Sequence, residues 1–240
     1  MMLIEFMTTR AFEEGLKRTN TVIIPLGSIE EHGPHLPMNT DIYHAYEIAK
    51  RASEKITVFV SPPISFGVCR STADFPGTIG VRSETLKSLI IDVAGALYHH
   101  GLKKFILYSG HAGMNHMAAL YDATDELMRR YGDTHFAVLS DFELMDNDFF
   151  ALVTTVGDSH AGEIETSWML SLAPDLIGEP PEADFPKFKK PFVVRNTREK
   201  WSSGVWGNPR NASQEKGDAM IDIMVKNLVS IVGRIAKEAG

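Results

Sequence analysis

Short apolar runs alternate with amphipathic stretches along most of this chain. That alternation restricts the folds open to it more than any other feature. Thr21–Leu26, Ile56–Val60, Lys104–Tyr108 and Phe136–Leu139 are short, apolar and bounded by polar residues, as buried strands are. Stretches of helical length separate them. Thr8-Thr9 can cap a first helix to about Lys17, and Asp41 can cap a second to about Glu54. Ser83 with Thr85 precedes a third, Leu86–His100, which Gly101 ends. Asn115–Tyr131 reads as a helix, and Ser159 to about Leu172 as another that stops before Pro174. Gln214–Ala239 closes the chain, with Ile221, Met224, Val225, Leu228 and Ile231 on one face. Asp175–Pro191, rich in Pro, Lys and Asp, predicts an irregular excursion, and Val193-Val194 a short strand. Strands alternating with helices of this length predict parallel βαβ units. The expected class is therefore α/β: a three-layer α/β/α sandwich with a mostly parallel central sheet. No repeat or linker divides the 240 residues, so one domain spanning 1–240 is expected.

Composition narrows the partners. The chain is 44% apolar and 23% charged, ordinary for a soluble globular protein. A formal charge of −7 argues against nucleic acid or an anionic membrane as a partner. Cys69 is the only cysteine, which excludes an internal disulfide and a thiolate metal cage. Any metal must then be held by nitrogen and oxygen, and Cys69 is read as structural. The opening MMLIEFMTTRAFEEGL lacks a positive leader, and no apolar run reaches the roughly 18 residues that span a bilayer. A cytoplasmic enzyme with a small-molecule substrate is expected.

PLGSIEEHGPHLPMNTD, Pro25 to Asp41, follows the first apolar run and carries Glu30, Glu31, His32, His35 and Asp41. Carboxylates and imidazoles suit zinc, manganese and iron(II), and ligands bind at the strand-to-loop edge of open α/β sheets. Two later segments place histidine beside glycine in similar settings: Ser109–Asn115 around His111, and Asp158–Ser167 around His160. Singly, each has an ordinary reading. Asp41 could be only a helix cap, and Glu163 and Glu165 only first-turn acids favoured by the helix dipole. Their joint placement after successive strands points to a metal site. His44, His99, His100, His116 and His135 have no such context.

PLGSIEEHGPHLPMNTD, then SGHAGMN, then HAGEIETS resemble the creatininase family, creatinine amidohydrolase-like metal hydrolases. FPGTI at Phe75–Ile79 and GNPRNASQEKG at Gly207–Gly217 spread the resemblance, in the family's order, over nearly the whole chain. It implies a creatininase-like α/β/α fold, a site for two divalent ions, zinc or manganese with iron as a third option, and a homohexamer built as a trimer of dimers. Carried over by residue, it makes Glu30 a ligand of one metal and His32 of the other, with Asp41 bridging both. His111 becomes a second ligand of the first metal. Creatinine-hydrolysing members place a glutamate two residues after that histidine, to complete the second metal; Gly113 stands there in this chain. Glu163, three residues after His160 and on the same helical face, is the expected replacement, with Glu165 second. Creatinine-specific members also place tryptophans in the loop over the pocket. The matching stretch Asp141–Gly157 has Phe142, Phe149 and Phe150 but no Trp, which argues against creatinine itself.

The resulting expectation is a metal-dependent amidohydrolase that cleaves a C–N bond of a small cyclic amide or amidine with a metal-activated water. His160, aided by Glu163, would donate a proton to the leaving nitrogen. Glu31 would orient His32 or shape the pocket rim, and His35 would hold the loop. A formamide deformylase or short-peptide hydrolase of cofactor biosynthesis remains open, as does a non-catalytic metal- or ligand-binding module.

Overall fold

Every residue of the run TVIIPL is buried, as a central strand covered on both faces requires. The computed structural model describes residues 1–189, 191 and 193–237. Its sheet has five strands: β1 (Met2–Leu3), β2 (Thr21–Leu26), β3 (Phe59–Val60), β4 (Lys104–Ser109) and β5 (His135–Ser140). They are all parallel, in the order β1-β3-β2-β4-β5. The helices are α1 (Thr9–Leu16), α2 (Thr40–Lys55), α3 (Ser83–His99), α4 (Met114–Arg130), the short α5 (Asn147–Phe150), α6 (Glu163–Leu172) and α7 (Gln214–Ile235).

Alternation along the strands sorts the core into two layers. Val22, Ile24, Leu26, Phe105 and Leu107 meet Leu86 and Ile90 of α3 and Leu120 and Leu127 of α4. Ile23, Ile106 and Tyr108 meet Ala45 and Ile48 of α2, Trp168 of α6 and Met224 and Leu228 of α7. This is the expected α/β/α sandwich. Burying each large side chain contributes about 1.5–3 kcal/mol. The long central strands therefore carry the sheet, and β1 and β3 can be very short. No helix of the described residues is long and apolar enough to cross a membrane.

The chain steps from β2 to β3 on one side and then returns past β2 to β4 on the other. The loops that leave β2 and β4 therefore part at the strands' C-terminal ends, the usual crevice for a ligand. Leu26 pairs with Ser109, and the Gly110 amide donates to the Leu26 carbonyl at 2.9 Å, so the two loops start side by side. Ser109 in turn pairs with Ser140, which places the loop after β5 at the same edge.

Some local expectations are not met. The strand read over Ile56–Val60 is only Phe59–Val60, and β1 carried no local signal. Val193-Val194 forms no strand. The closing helix ends at Ile235, and its expected end, Ala239, lies outside the described residues. The most consequential difference is that α6 starts at Glu163 and not at Ser159. The Asp158 carboxylate accepts the amides of Glu163 (2.8 Å) and Ile164 (3.0 Å), which caps the helix there. Ala161 takes a φ of 48°, outside the right-handed helical region. His160 instead pairs with Trp206 as an antiparallel bridge: the Trp206 amide donates to the His160 carbonyl at 2.7 Å.

Candidate metal centre

Two glycines bring the first turn of α2 onto the strand ends. A Cβ on Gly110 would lie 2.2 Å from the Asp41 carbonyl oxygen, and one on Gly27 2.6 Å from the Ile42 nitrogen. Only glycine permits this approach, and through it the Asp41 side chain reaches the crevice. Asn39 occupies the N-cap position, and Asp41 lies in the first turn with its carboxylate turned inward. Gly110→Ala is expected to cost about 1–3 kcal/mol of stability by overpacking and to weaken metal uptake, read by thermal melts and metal titration. Unchanged metal affinity would show that the approach is not needed.

The Asp41 carboxylate is shared. Its Oδ1 lies 2.9 Å from His32 Nε2, and its Oδ2 lies 3.3 Å from His111 Nδ1. Glu30 Oε1 lies 2.7 Å from the same His111 nitrogen, and Glu165 Oε2 lies 3.8 Å from His32 Nε2. Two groups result, Glu30–His111–Asp41 and His32–Glu165–Asp41, joined through one carboxylate. The potential donor atoms of His32, Asp41 and Glu165 all lie within 4.8 Å of one another, as do those of Glu30, His32 and His160. The far nitrogen of each imidazole meets a backbone carbonyl: His32 Nδ1 at Glu30 O (3.0 Å) and His111 Nε2 at Val68 O (3.2 Å). A carbonyl only accepts, so those nitrogens carry the proton and the near ones are free to ligate, the usual support for metal-binding histidines.

The electrostatics suit cations. Burial works against charge on His32, but the Asp41 and Glu165 carboxylates outweigh it and lift its pKa to about 10. Burial likewise opposes charge on His111, and Glu30 and Asp41 hold its pKa well above the ordinary imidazole value. Despite burial, His111 lowers the Glu30 pKa, and His32 holds Asp41 well below its usual range. Among the described residues no lysine or arginine forms an ion pair with Glu30, Asp41 or Glu165; imidazoles alone oppose them. Carboxylates whose charge is opposed only by imidazoles form a set that fits divalent cations, which displace the imidazole protons on binding.

Glu163, expected as a ligand and as an aid to His160, is placed elsewhere. It is fully buried, and its carboxylate accepts the Thr154 amide (3.0 Å), the Thr155 amide (2.6 Å) and an ion pair from Lys216. The argument for it assumed that His160 is helical. Because α6 starts three residues later, Glu165 is the acid that faces His32 and Asp41. Glu31 does not orient His32, a task that falls to the Glu30 carbonyl. Its own carbonyl instead accepts from His160 Nε2 at 2.9 Å. His35 Nε2 meets Thr166 Oγ1 at 2.9 Å and ties the loop to α6. Burial, then the Glu30 carboxylate, pushes the Cys69 thiol up to about 12, which keeps it neutral in the metal-free protein.

Other residues escaped the sequence reading. His44 is buried one turn after Asp41, with Nε2 2.9 Å from Asp141 Oδ2, and the Tyr108 hydroxyl donates to Asp141 Oδ1 at 2.7 Å. This network pins α2 to the ends of β4 and β5, and the helical spacing from Asp41 was its only signal. His116 accepts the Val68 amide at 3.3 Å and meets Ser109 Oγ at 3.1 Å; burial, then His111, lowers its pKa to about 3. A cavity of about 360 Å³ holds Glu30, Asp41, His111, His160 and Glu165 in its lining, with Phe142, Trp201 and Trp206. The cavity thus draws its tryptophans from α6 and from the segment before Gly207, not from Asp141–Gly157.

Comparisons with known proteins bear on this arrangement. The chain is 25% identical to the creatinine amidohydrolase of Pseudomonas putida, covering 94% of each chain. It is 28% identical to a mycofactocin precursor peptide peptidase of Mycobacterium ulcerans (strain Agy99), covering 89% of this chain and 85% of that one. A solved creatinine amidohydrolase superposes with a TM-score of 0.89 at 24% identity, over 99% of this chain and 98% of that one. Similar creatininase structures include one described as Mn and one as Zn-Zn type. The family model described as creatinine amidohydrolase matches residues 5–232, and the chain belongs to the creatininase family of hydrolases.

Proposed function

We propose that this protein is a metal-dependent amidohydrolase that cleaves a C–N bond of a small cyclic amide or amidine. The observation that carries the proposal is the Asp41 carboxylate, with one oxygen toward His32 and the other toward His111. Glu30, His111 and Asp41 would hold one divalent ion, zinc or manganese, and His32, Glu165 and Asp41 the second. Such ions supply a water acidified to a pKa of about 7 and a Lewis acid for the scissile group. His160 is held through Nε2–H on the Glu31 carbonyl, which leaves Nδ1 to move a proton to the leaving nitrogen. In the metal-free protein, burial and His32 oppose charge on His160, yet Glu31 and Glu165 outweigh them and raise its pKa. The aromatic cavity would exclude water and seat the substrate.

The test is reconstitution with manganese or zinc, metal analysis, and a screen of cyclic amides, formamides and dipeptides for released ammonia, formate or amine. About two ions per chain with C–N cleavage supports the reading; a protein that takes up no metal is a binding module instead. His160→Ala should lower kcat by about 10²–10⁴-fold at unchanged metal content. Loss of metal in that variant would make His160 a ligand and end its role as acid. Short-peptide hydrolysis is the second reading, favoured by the higher identity to a protein named as a peptide peptidase. We also propose one catalytic unit across residues 1–240, in a cytoplasmic homohexamer assembled as a trimer of dimers. Exposed Met114, Phe142, Phe150 and Val156 supply apolar surface for such contacts, and light scattering tests the assembly.

A further inference from the structure

Arg70 lines the same cavity as Glu30, Asp41, His111, His160 and Glu165, and it is the only lysine or arginine among the described residues that does. Asp141 and Asp158 line it too, yet among the described residues Arg70 has no carboxylate partner. The segment that carries it is tied to the metal centre at both ends. The Val68 carbonyl accepts from His111 Nε2 at 3.2 Å, and the Thr72 hydroxyl donates to the Glu30 carboxylate. Cys69 is buried on the amino side of Arg70, and Thr72 two residues beyond it. Arg70 itself is exposed, but its backbone is fixed relative to the reacting centre. A planar guanidinium fork pairs with a carboxylate through two parallel hydrogen bonds. Apart from the ions the centre would hold, this fork is the only permanent positive charge in the lining among the described residues, so it offers a carboxylate a second point of attachment.

We infer that Arg70 is a specificity-determining residue that holds a carboxylate on the substrate. The molecule cleaved then carries an anionic end beside its scissile C–N bond, as in a carboxylated lactam, an N-formyl amino acid or a short peptide. This rests on the amidohydrolase reading for the bond cleaved, but the recognition can be measured without turnover.

The test uses the manganese-loaded protein and three ligand pairs, each an acid and its neutral amide: pyroglutamate, N-formylglycine and glycylglycine. Binding is read by calorimetry, and cleavage of the same compounds by amine or formate release. For at least one pair the wild-type protein should bind the acid about ten- to hundredfold more tightly than the amide, the range of a charge-assisted pair. Arg70→Met should abolish that preference, and Arg70→Lys should keep part of it. Comparing ligand and side-chain changes together isolates the pair from any direct contact of the carboxylate with metal. No acid preference in any pair, or a preference that survives Arg70→Met, overturns the inference. Preferential binding without cleavage would sink the amidohydrolase reading and leave the role of Arg70 standing.

Discussion

Asp41→Ala is expected to strip both metal ions from the protein and to lower turnover by at least about a thousandfold, since the Lewis-acid contribution is several kcal/mol. Among the described residues Asp41 is the only carboxylate paired with both imidazoles: His32 sits against Oδ1 and His111 against Oδ2. Asp41→Asn is the controlled arm, because it keeps the shape and removes the charge. Ser28 Oγ, which donates to Asp41 Oδ2 at 2.5 Å, would still find an acceptor there. Both variants should fold, as a circular-dichroism melt would show, and both should read near zero in metal analysis. Near-stoichiometric metal together with retained hydrolysis in either variant would end the shared-carboxylate account.

The second large effect separates two glutamates two residues apart. Glu163→Gln is expected to destabilise the protein by about 1–3 kcal/mol, since the carboxylate is buried while Lys216 keeps some contact with solvent, and to leave metal content unchanged. Glu165→Gln should do the reverse: little change in the melt, loss of one ion of the pair, and a fall in activity. The Glu163 pair also sets an acid limit. Burial raises the Glu163 pKa, but the Lys216 ion pair and the bonds from Thr155 and Thr154 outweigh it and bring it from 4.5 to about 2. A group whose folded pKa is depressed adds stability above its unfolded pKa and loses it as pH falls through the folded one. That contribution is therefore present above pH 4.5 and fades toward pH 2. Urea titrations across that window should show a steeper acid loss in the wild type than in Glu163→Gln. If Glu163→Gln lost a metal ion at unchanged stability, Glu163 would be the ligand after all.

The parts of this protein legible in one dimension share a physical character. β2 and β4 are continuous apolar runs because both faces of each strand are covered, and burial on both faces leaves a dense local signal. Glu30, His32, Asp41 and His111 follow those runs closely, so a parallel sheet brings them to one edge once its strands pair. β1 has two residues and exists only because β3 offers an open edge, so nothing nearby in the chain announces it.

Local order in the chain thus determined the layered α/β architecture and the strand ends that carry the imidazoles and the first carboxylates, because apolar periodicity and short spacings are properties of neighbours. Which glutamate of α6 faces them was decided only in the folded structure. That choice depends on Asp158, which starts the helix at Glu163, and on Lys216 of α7, which draws the Glu163 carboxylate away across 53 positions of sequence. A helix begun one residue earlier or later would turn both acids by about 100°; Asp158 marks that start from within the segment, but Lys216 acts from outside it.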